Sequence, residues 1–515
     1  MFRRSFIRNI LIQGLLYLVL CLSCTSLFAQ PLSGTLLTRT AYSPVPTVSA
    51  KSNVNFNKYF LDRGSFVAYI RTGNHAQEHI SDVTMIDGGC FWAGRRGSNS
   101  IDPIDGGRYR IVLVDSASHQ AIYSAGYNSL FEEYRNLPEA GIQKDGSQGK
   151  VGRFEEVIQI PTPRHTAYLI FQVRDQKNLF CNQSTYLIMG HASSEYLSPD
   201  YDNLKEENRD YLELLLNPAS QERARLRYTN SKVSSDNSKK PLNQLRLRNN
   251  VRALHYSGNP RRNMDLVIVP EGYGPQDSLK MEHDVERITA YAISKGPFAK
   301  HKGRINIWSV ATLGEDSGIS DPGKNLVVNS AVGSSYGTFG SDRYLMTQQV
   351  FRLYHLLVGV PFDHIIIMAN SETYGGGGIY NFYTMSAVQD MSEWILPHEL
   401  GHSIGGLADE YVDPDPNFEN MVDCSMEPIE PNITTLVDFG KKWKDLIPKG
   451  TLIPTPAPDH NLPKAECGHI GVYEGAGYVA HGVYRPVPHC MMRDFHPFCP
   501  VCTRHLDKVI KSFCH

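Results

Sequence analysis

Between residues 56 and 190 the chain alternates apolar and polar side chains in short runs, separated by clusters of Gly, Pro and Asn. Stretches 66–70, 109–114 and 167–173 are rich in β-branched and aromatic residues at a period of two. That is the pattern of half-buried strands, and strands spaced by turns in this way predict an all-β sandwich over 56–200. Over 201–262 the pattern changes. Residues 201–216 space leucines among charges, compatible with a helix, whereas 230–240 is rich in Ser, Asn and Lys and reads as an exposed linker. From 263 to 515, strand and helix patterns alternate. Stretches 266–269, 305–310 and 365–368 are apolar runs expected of buried strands, and 277–294 and 341–358 read as the helices between them. The expectation for this part is an α/β domain with a largely parallel sheet.

The first 29 residues stand apart. Arg3, Arg4 and Arg8 precede an apolar run from Ile10 to Leu22, and small residues lead to Ala29 before Gln30. This predicts a secretory signal peptide, and hence an exported protein that is secreted, periplasmic or at the cell surface. The apolar run is short for a bilayer span and no charged stop-transfer pattern follows it. Cys24 would be the lipidation site in the less favoured case of a lipoprotein. Residues 30–55 read as a polar spacer. No other segment is long and apolar enough to predict a transmembrane span.

Charge narrows the choice of partners. Fifty-one basic side chains face 53 acidic ones, so no broad basic field exists to attract nucleic acid. Of ten cysteines, Cys21 and Cys24 fall in the leader, and six lie between 424 and 514. After export these would be free to pair, and structural disulfides near the C-terminus are the favoured reading. The alternatives for the Cys499–Cys502 pair are a second, structural zinc site with Cys490 and His505, or a redox pair.

The strongest chemical signal is HELGHSIGGLADEY at 398–411. Residues four apart share a helix face, so His398 and His402 can aim two imidazoles at one metal ion. Glu399 then sits where its carboxylate can take a proton from a water polarised by that metal. Gly405 and Gly406 end the helix, because glycine tolerates the left-handed conformation there, and the chain can turn back toward the ion. A catalytic zinc site needs a third protein ligand and one open position. Gly406-x-x-Asp409 supplies a carboxylate at the turn-to-ligand spacing of longer motifs of this kind. Glu410 and His489 are the other candidates. Pro397, lacking an amide donor, suggests that the helix begins close to it.

Several stretches together resemble the bacterial IgA peptidase family of metalloendopeptidases: HELGHSIGGLADEY at 398–411, DLVIVPEGY at 265–273, GGGGIYNFY at 375–383, CMMR at 490–493 and FCPVC at 498–502. Residues 56–135, with Arg71 to Asn74 and Asn99 to Pro103, resemble the N-terminal domain of its longer members. The resemblance implies a metzincin-like zinc endopeptidase acting on a protein or peptide, with one catalytic Zn2+. Carried over, His398, His402 and Asp409 hold the ion and Glu399 is the general base. Met492 takes the place of the methionine turn beneath the metal, with Met491 as the alternative. This sequence departs from the best-known metzincin pattern in lacking the third histidine, since Ala408 stands at that spacing.

The glycine run 375–378 lacks the GK[ST] ending of a phosphate loop. In a zincin-like architecture the strand after it, 379–385, would be the sheet edge facing the cleft, able to align an extended peptide. Gly378, Ile379 and Tyr380 are therefore candidate substrate-binding residues. Two other classes compete with an endopeptidase: a metal-dependent amidase acting on cell-wall or other non-protein substrates, and an adhesin with a structural metal. The latter would have no use for Glu399.

Overall fold

The computed structural model describes residues 34–44, 53–141, 147–190, 251–310, 312–414, 422–456 and 469–514. The leader, the helix expected at 201–216 and the linker at 230–240 lie outside the described residues.

The N-terminal part is built almost wholly of strands. β1 (Thr35–Leu36), β3 (Phe60–Gly73), β4 (Glu78–Asp87) and β7 (Gly152–Pro163) form an antiparallel sheet in the order β1-β4-β3-β7. β2 (Thr38–Arg39), β5 (Tyr109–Asp115), β6 (Ala121–Tyr127), β8 (Ala167–Arg174) and β9 (Phe180–Ile188) form a second, in the order β2-β9-β8-β5-β6. The sheets pack face to face. The Tyr69 and Phe171 rings meet edge-on at 4.9 Å, and the Tyr69 and Tyr127 hydroxyls share a 2.7 Å hydrogen bond. The short strands β1 and β2 correct the reading of 30–55 as spacer. Two-residue strands are too brief to show a period, yet they close an edge of each sheet.

Arg71 is fully buried in this sandwich, where it donates to Glu156 at 2.8 Å, Glu78 at 3.1 Å and the Tyr127 hydroxyl at 3.2 Å. A buried guanidinium is tolerated only with such a full set of acceptors. Asn74 accepts the amides of Ala76 and Gln77, shaping the turn into β4. The motif residues of this region thus have structural work.

The C-terminal part carries a six-stranded mixed sheet, adding β10 (Val251–His255), β11 (Met264–Glu271), β12 (Ile305–Val310), β13 (His364–Ala369), β14 (Gly376–Ile379) and β15 (Tyr383–Ala387) in the order β10-β12-β11-β13-β15-β14. The four central strands run parallel, and β10 and β14 are antiparallel edges. β10 lies in the stretch read from sequence as connecting segment; its pairing with β12, a tertiary contact, assigns it to the sheet. Side chains in β11 alternate as a strand requires. Leu266 and Ile268 join the core formed with the helices Ser278–Ala292 and Ser392–Gly405 and the C-terminal helix Pro500–Phe513. Val267 and Val269 join the other core, which is continuous with the sandwich. Burial on both faces explains the unbroken apolar runs.

The helix expected over 341–358 is confined to Val350–Leu356. Upstream, the Tyr383 hydroxyl donates to the Thr347 carbonyl at 2.6 Å, Tyr344 bridges to Gly376, and the chain follows the sheet edge. Long-range pairing overrides local propensity there. A β-hairpin of β16 (Tyr473–Ala476) and β17 (Val479–Arg485) completes the described strands.

Candidate active site

The active-site helix spans Ser392–Gly405 with Pro397 inside it, earlier in its start than the proline suggested. Pro397 is only the sixth residue, so the missing amide leaves one carbonyl, that of Glu393, without its helical donor. No side chain caps its first turn. Ser392 is buried and donates to carbonyls of Ala387 and Gln389, and the N-cap position is Met391. The C-terminal end matches expectation: Gly406 is left-handed (φ 58°), its amide bonds the His402 carbonyl at 2.8 Å, and Leu407 N–H reaches Gly401 O at 3.2 Å.

This turn sends Asp409 back over the helix. His398 Nε2 and His402 Nε2 are 3.1 Å apart, and Asp409 Oδ1 lies 3.1 Å from the first and 3.4 Å from the second. The far side of each ring fixes its tautomer. His398 Nδ1 is 2.9 Å from the Met491 carbonyl and His402 Nδ1 2.6 Å from the Leu407 carbonyl. A carbonyl only accepts, so each Nδ1 carries a proton, and in the neutral ring, the form that binds a metal, each Nε2 presents a lone pair. Three acceptor atoms therefore converge, and buried Asp409 Oδ1 has no hydrogen-bond donor. A divalent cation resolves that arrangement. At the tetrahedral radius of a zinc–nitrogen bond, donor atoms sit about 3.3 Å apart, so the donor set fits such an ion.

The electrostatics reflect the same convergence. Burial opposes charge on His402, yet Asp409 and Glu399 outweigh it and raise the imidazole to about 9. Burial also works against the Asp409 carboxylate, but the two imidazoles hold its pKa well below the usual range. Glu399 lies within 4.8 Å of both imidazoles, and burial pushes its carboxyl above the ordinary value, partly offset by the histidines. It faces β14, where a Cβ on Gly376 would come within 3.4 Å of its Oε1.

Methionine 492 is fully buried beneath the helix. A Cβ at Gly401 would meet its sulfur at 2.6 Å, so glycine there allows the close approach. Met491 contributes its carbonyl to His398.

Of the other ligand candidates, Glu410 points away, into a cluster with Cys490, Cys499 and Cys502. His489 pairs with Asp494 beside His496, in a separate, partly exposed group.

The candidate substrate residues divide. Gly378 and Ile379 lie on the edge strand β14, while the following strand is interior, between β13 and β14. This corrects the placement of 379–385 at the edge. The glycines themselves form the edge because they alone fit against the helix: a Cβ on Gly378 would lie 2.3 Å from the Glu399 carbonyl. Tyr380 is buried, its carbonyl accepts Asn128 N–H of the sandwich at 2.9 Å, and its ring packs where Cβ atoms on Gly106 or Gly406 would meet it. Tyr383 is likewise buried, bonded to Thr347.

One contributor carries no signal in sequence. Tyr478, at the tip of the β16–β17 hairpin, donates its hydroxyl to Asp409 Oδ2. Glu133, on the sandwich helix Leu130–Arg135, is near enough to feel the charges of His402 and Asp409. Burial and the neighbouring Glu132 push its carboxyl up to about 7.

The described cysteines form no disulfide in this structure, and Cys467 lies outside the described residues. Cys490 and Cys502 are 3.8 Å apart at sulfur, nearly twice a disulfide bond of about 2.05 Å. The Cys490 sulfur accepts the Cys499 amide, and the Cys502 sulfur lies 3.3 Å from Glu410 Oε1.

Among the described residues no helix is long and apolar enough to cross a membrane. No curated protein matches the chain. A family model described as IgA Peptidase M64 matches residues 253–468 and 463–510, and one described as Peptidase M64 N-terminus matches 55–185.

Proposed function

We propose that this chain, which belongs to the IgA peptidase M64 family, is an exported zinc-dependent endopeptidase with a metzincin-like catalytic domain. Membership makes it a peptidase acting on proteins or peptides. The observation that carries the finer reading is the convergence of His398 Nε2, His402 Nε2 and Asp409 Oδ1 within 3.1–3.4 Å, with their other bonds directed outward. These three residues would hold the ion, and the Nδ1 bonds to Met491 and Leu407 would keep both rings oriented. Zinc bound there supplies Lewis acidity toward water and toward a substrate carbonyl.

The chain's own groups do the rest. Glu399 takes the proton of the attacking water and later delivers it to the leaving amine; its raised pKa suits both directions of transfer. Edge strand β14 offers main-chain groups to an extended peptide, with Gly378 and Ile379 setting its register. Tyr478 restrains Asp409. Immunoglobulins and other extracellular glycoproteins are the substrates to try first.

Glu399→Gln keeps size and hydrogen bonding but cannot carry the proton. The expected outcome is loss of at least a thousandfold in kcat/KM on a peptide library, with zinc content unchanged by metal analysis. Full turnover in the zinc-loaded variant would refute the assignment. Cleavage of cell-wall amides without cleavage of any peptide would favour an amidase.

A further inference from the structure

We propose that Glu410, Cys490, Cys499 and Cys502 form a second, closed metal site that takes a thiophilic divalent cation of the zinc class. This goes beyond the catalytic reading and does not depend on it. The four ligand atoms lie within 4.8 Å of one another, and all four residues are buried. Cys490 and Cys502 sulfurs are 3.8 Å apart, and Cys502 Sγ is 3.3 Å from Glu410 Oε1. Tetrahedral zinc with Zn–S near 2.3 Å and Zn–O near 2.0 Å places sulfurs about 3.8 Å apart and sulfur and oxygen about 3.5 Å apart.

Two of the sulfurs accept backbone amides. Cys499 is the N-cap of the helix Pro500–Phe513, and its sulfur accepts the Cys502 amide at 3.4 Å. The Cys490 sulfur accepts the Cys499 amide, also at 3.4 Å. Glu410 Oε1 is oriented by Asn432 Nδ2 at 2.9 Å, whereas its Oε2 is buried with no hydrogen-bond partner. A carboxylate oxygen buried without a donor is costly unless a cation meets it. Three soft sulfurs and one carboxylate select zinc over calcium or magnesium. His505, the ligand suggested by sequence, is not in the cluster. With four protein ligands no position stays open, so the role is structural.

The site joins the pieces that position the catalytic residues. Glu410 follows Asp409 directly, and its amide donates to the Met492 carbonyl at 2.7 Å. Cys490 precedes Met491, whose carbonyl orients His398. An ion here would staple the Asp409 loop, the methionine turn and the C-terminal helix together.

The test uses full-length protein. Metal analysis is expected to find two zinc ions per chain in the parent and one in His398→Ala/His402→Ala. Cobalt loaded into that double variant is expected to show intense thiolate-to-cobalt charge-transfer absorption, absent from cobalt-loaded Cys499→Ser/Cys502→Ser. If the cysteine variant does not fold, the cobalt spectrum of the histidine variant still decides. A histidine variant that binds no ion and whose three thiols all react with a thiol reagent in the native state overturns the proposal. So does a Cys490–Cys502 disulfide found by mass spectrometry. One zinc in both the parent and the histidine variant would support this site and refute the catalytic one.

Discussion

Replacing Tyr478 with Phe removes a hydroxyl at the edge of the proposed zinc site, one that also meets the Tyr411 side chain. The hydroxyl donates to Asp409 Oδ2, while Oδ1 faces the two imidazoles. The backbone around Tyr478 is held independently: its amide bonds the Tyr411 carbonyl at 3.0 Å, its carbonyl accepts Asp413 N–H at 3.1 Å, and Gly477 N–H meets the Asp409 carbonyl at 2.9 Å. Phenylalanine should therefore occupy the same place and simply lack the donor. A hydrogen bond to a charged acceptor contributes about 1.5–3 kcal/mol. At about 1.4 kcal/mol per decade that is roughly 10- to 100-fold in affinity, the range seen for groups that orient metal ligands. Zinc dissociation constants should be measured by chelator competition at fixed pH, alongside kcat/KM with and without excess zinc. The expected outcome is weaker zinc binding by about 10- to 100-fold, with most activity restored by added metal. Affinity within twofold of the parent would show that the hydroxyl does not hold Asp409 and would sink the reasoning.

Two further perturbations test other parts of the argument. Gly378→Ala puts a Cβ 2.3 Å from the Glu399 carbonyl, a backbone atom that cannot yield, so β14 must shift. We expect a loss of about 1–3 kcal/mol in stability and roughly 100-fold in kcat/KM; thermal melts and peptide kinetics matching the parent would exclude a tight, functional edge. Asp265 and Asp363 are a buried carboxyl pair in which burial, then mutual repulsion, raises Asp265, while burial raises Asp363 to about 7. Because the folded pKa exceeds the unfolded value of 3.8, the favourable contribution is full below about pH 4 and lost as pH rises through 7. Asp363→Asn should thus stabilise by roughly 2 kcal/mol at pH 8 and little at pH 4.5; equal denaturation midpoints for parent and variant at pH 8 would contradict it.

Local geometry made part of the site legible from residues alone. The spacing of His398 and His402 is fixed by the helix, and Gly406 needs only its left-handed φ to bring Asp409 back. The apolar runs of β11 and β13 also read correctly, because burial on both faces leaves no polar alternation. What escaped depends on distant contacts. Nothing local marks Tyr478, which reaches Asp409 from a hairpin. Gly376–Ile379 has poor strand propensity, and only its fit against the active-site helix makes it the edge. Glu410, some eighty residues before Cys490, joins the cysteine cluster only through the fold.

Asn128 N–H bonds the Tyr380 carbonyl at 2.9 Å, and Asn381 Nδ2 bonds the Gly126 carbonyl at 2.7 Å, so the sandwich grips the turn joining β14 to β15. The same sandwich shares a core with one face of the catalytic sheet, including Val267, Val269, Ile365 and Ile367. Phe66 of the sandwich meets the Tyr354 and Phe362 rings at 5.2 and 6.1 Å, and baring those two side chains would cost about 3–6 kcal/mol at 1.5–3 kcal/mol each, a large share of the stability of a typical domain. A truncated enzyme starting at residue 251 would therefore be both adhesive and slack at its groove. The upstream module serves as the chassis on which the cutting edge is mounted, and engineering one without the other would forfeit the tool.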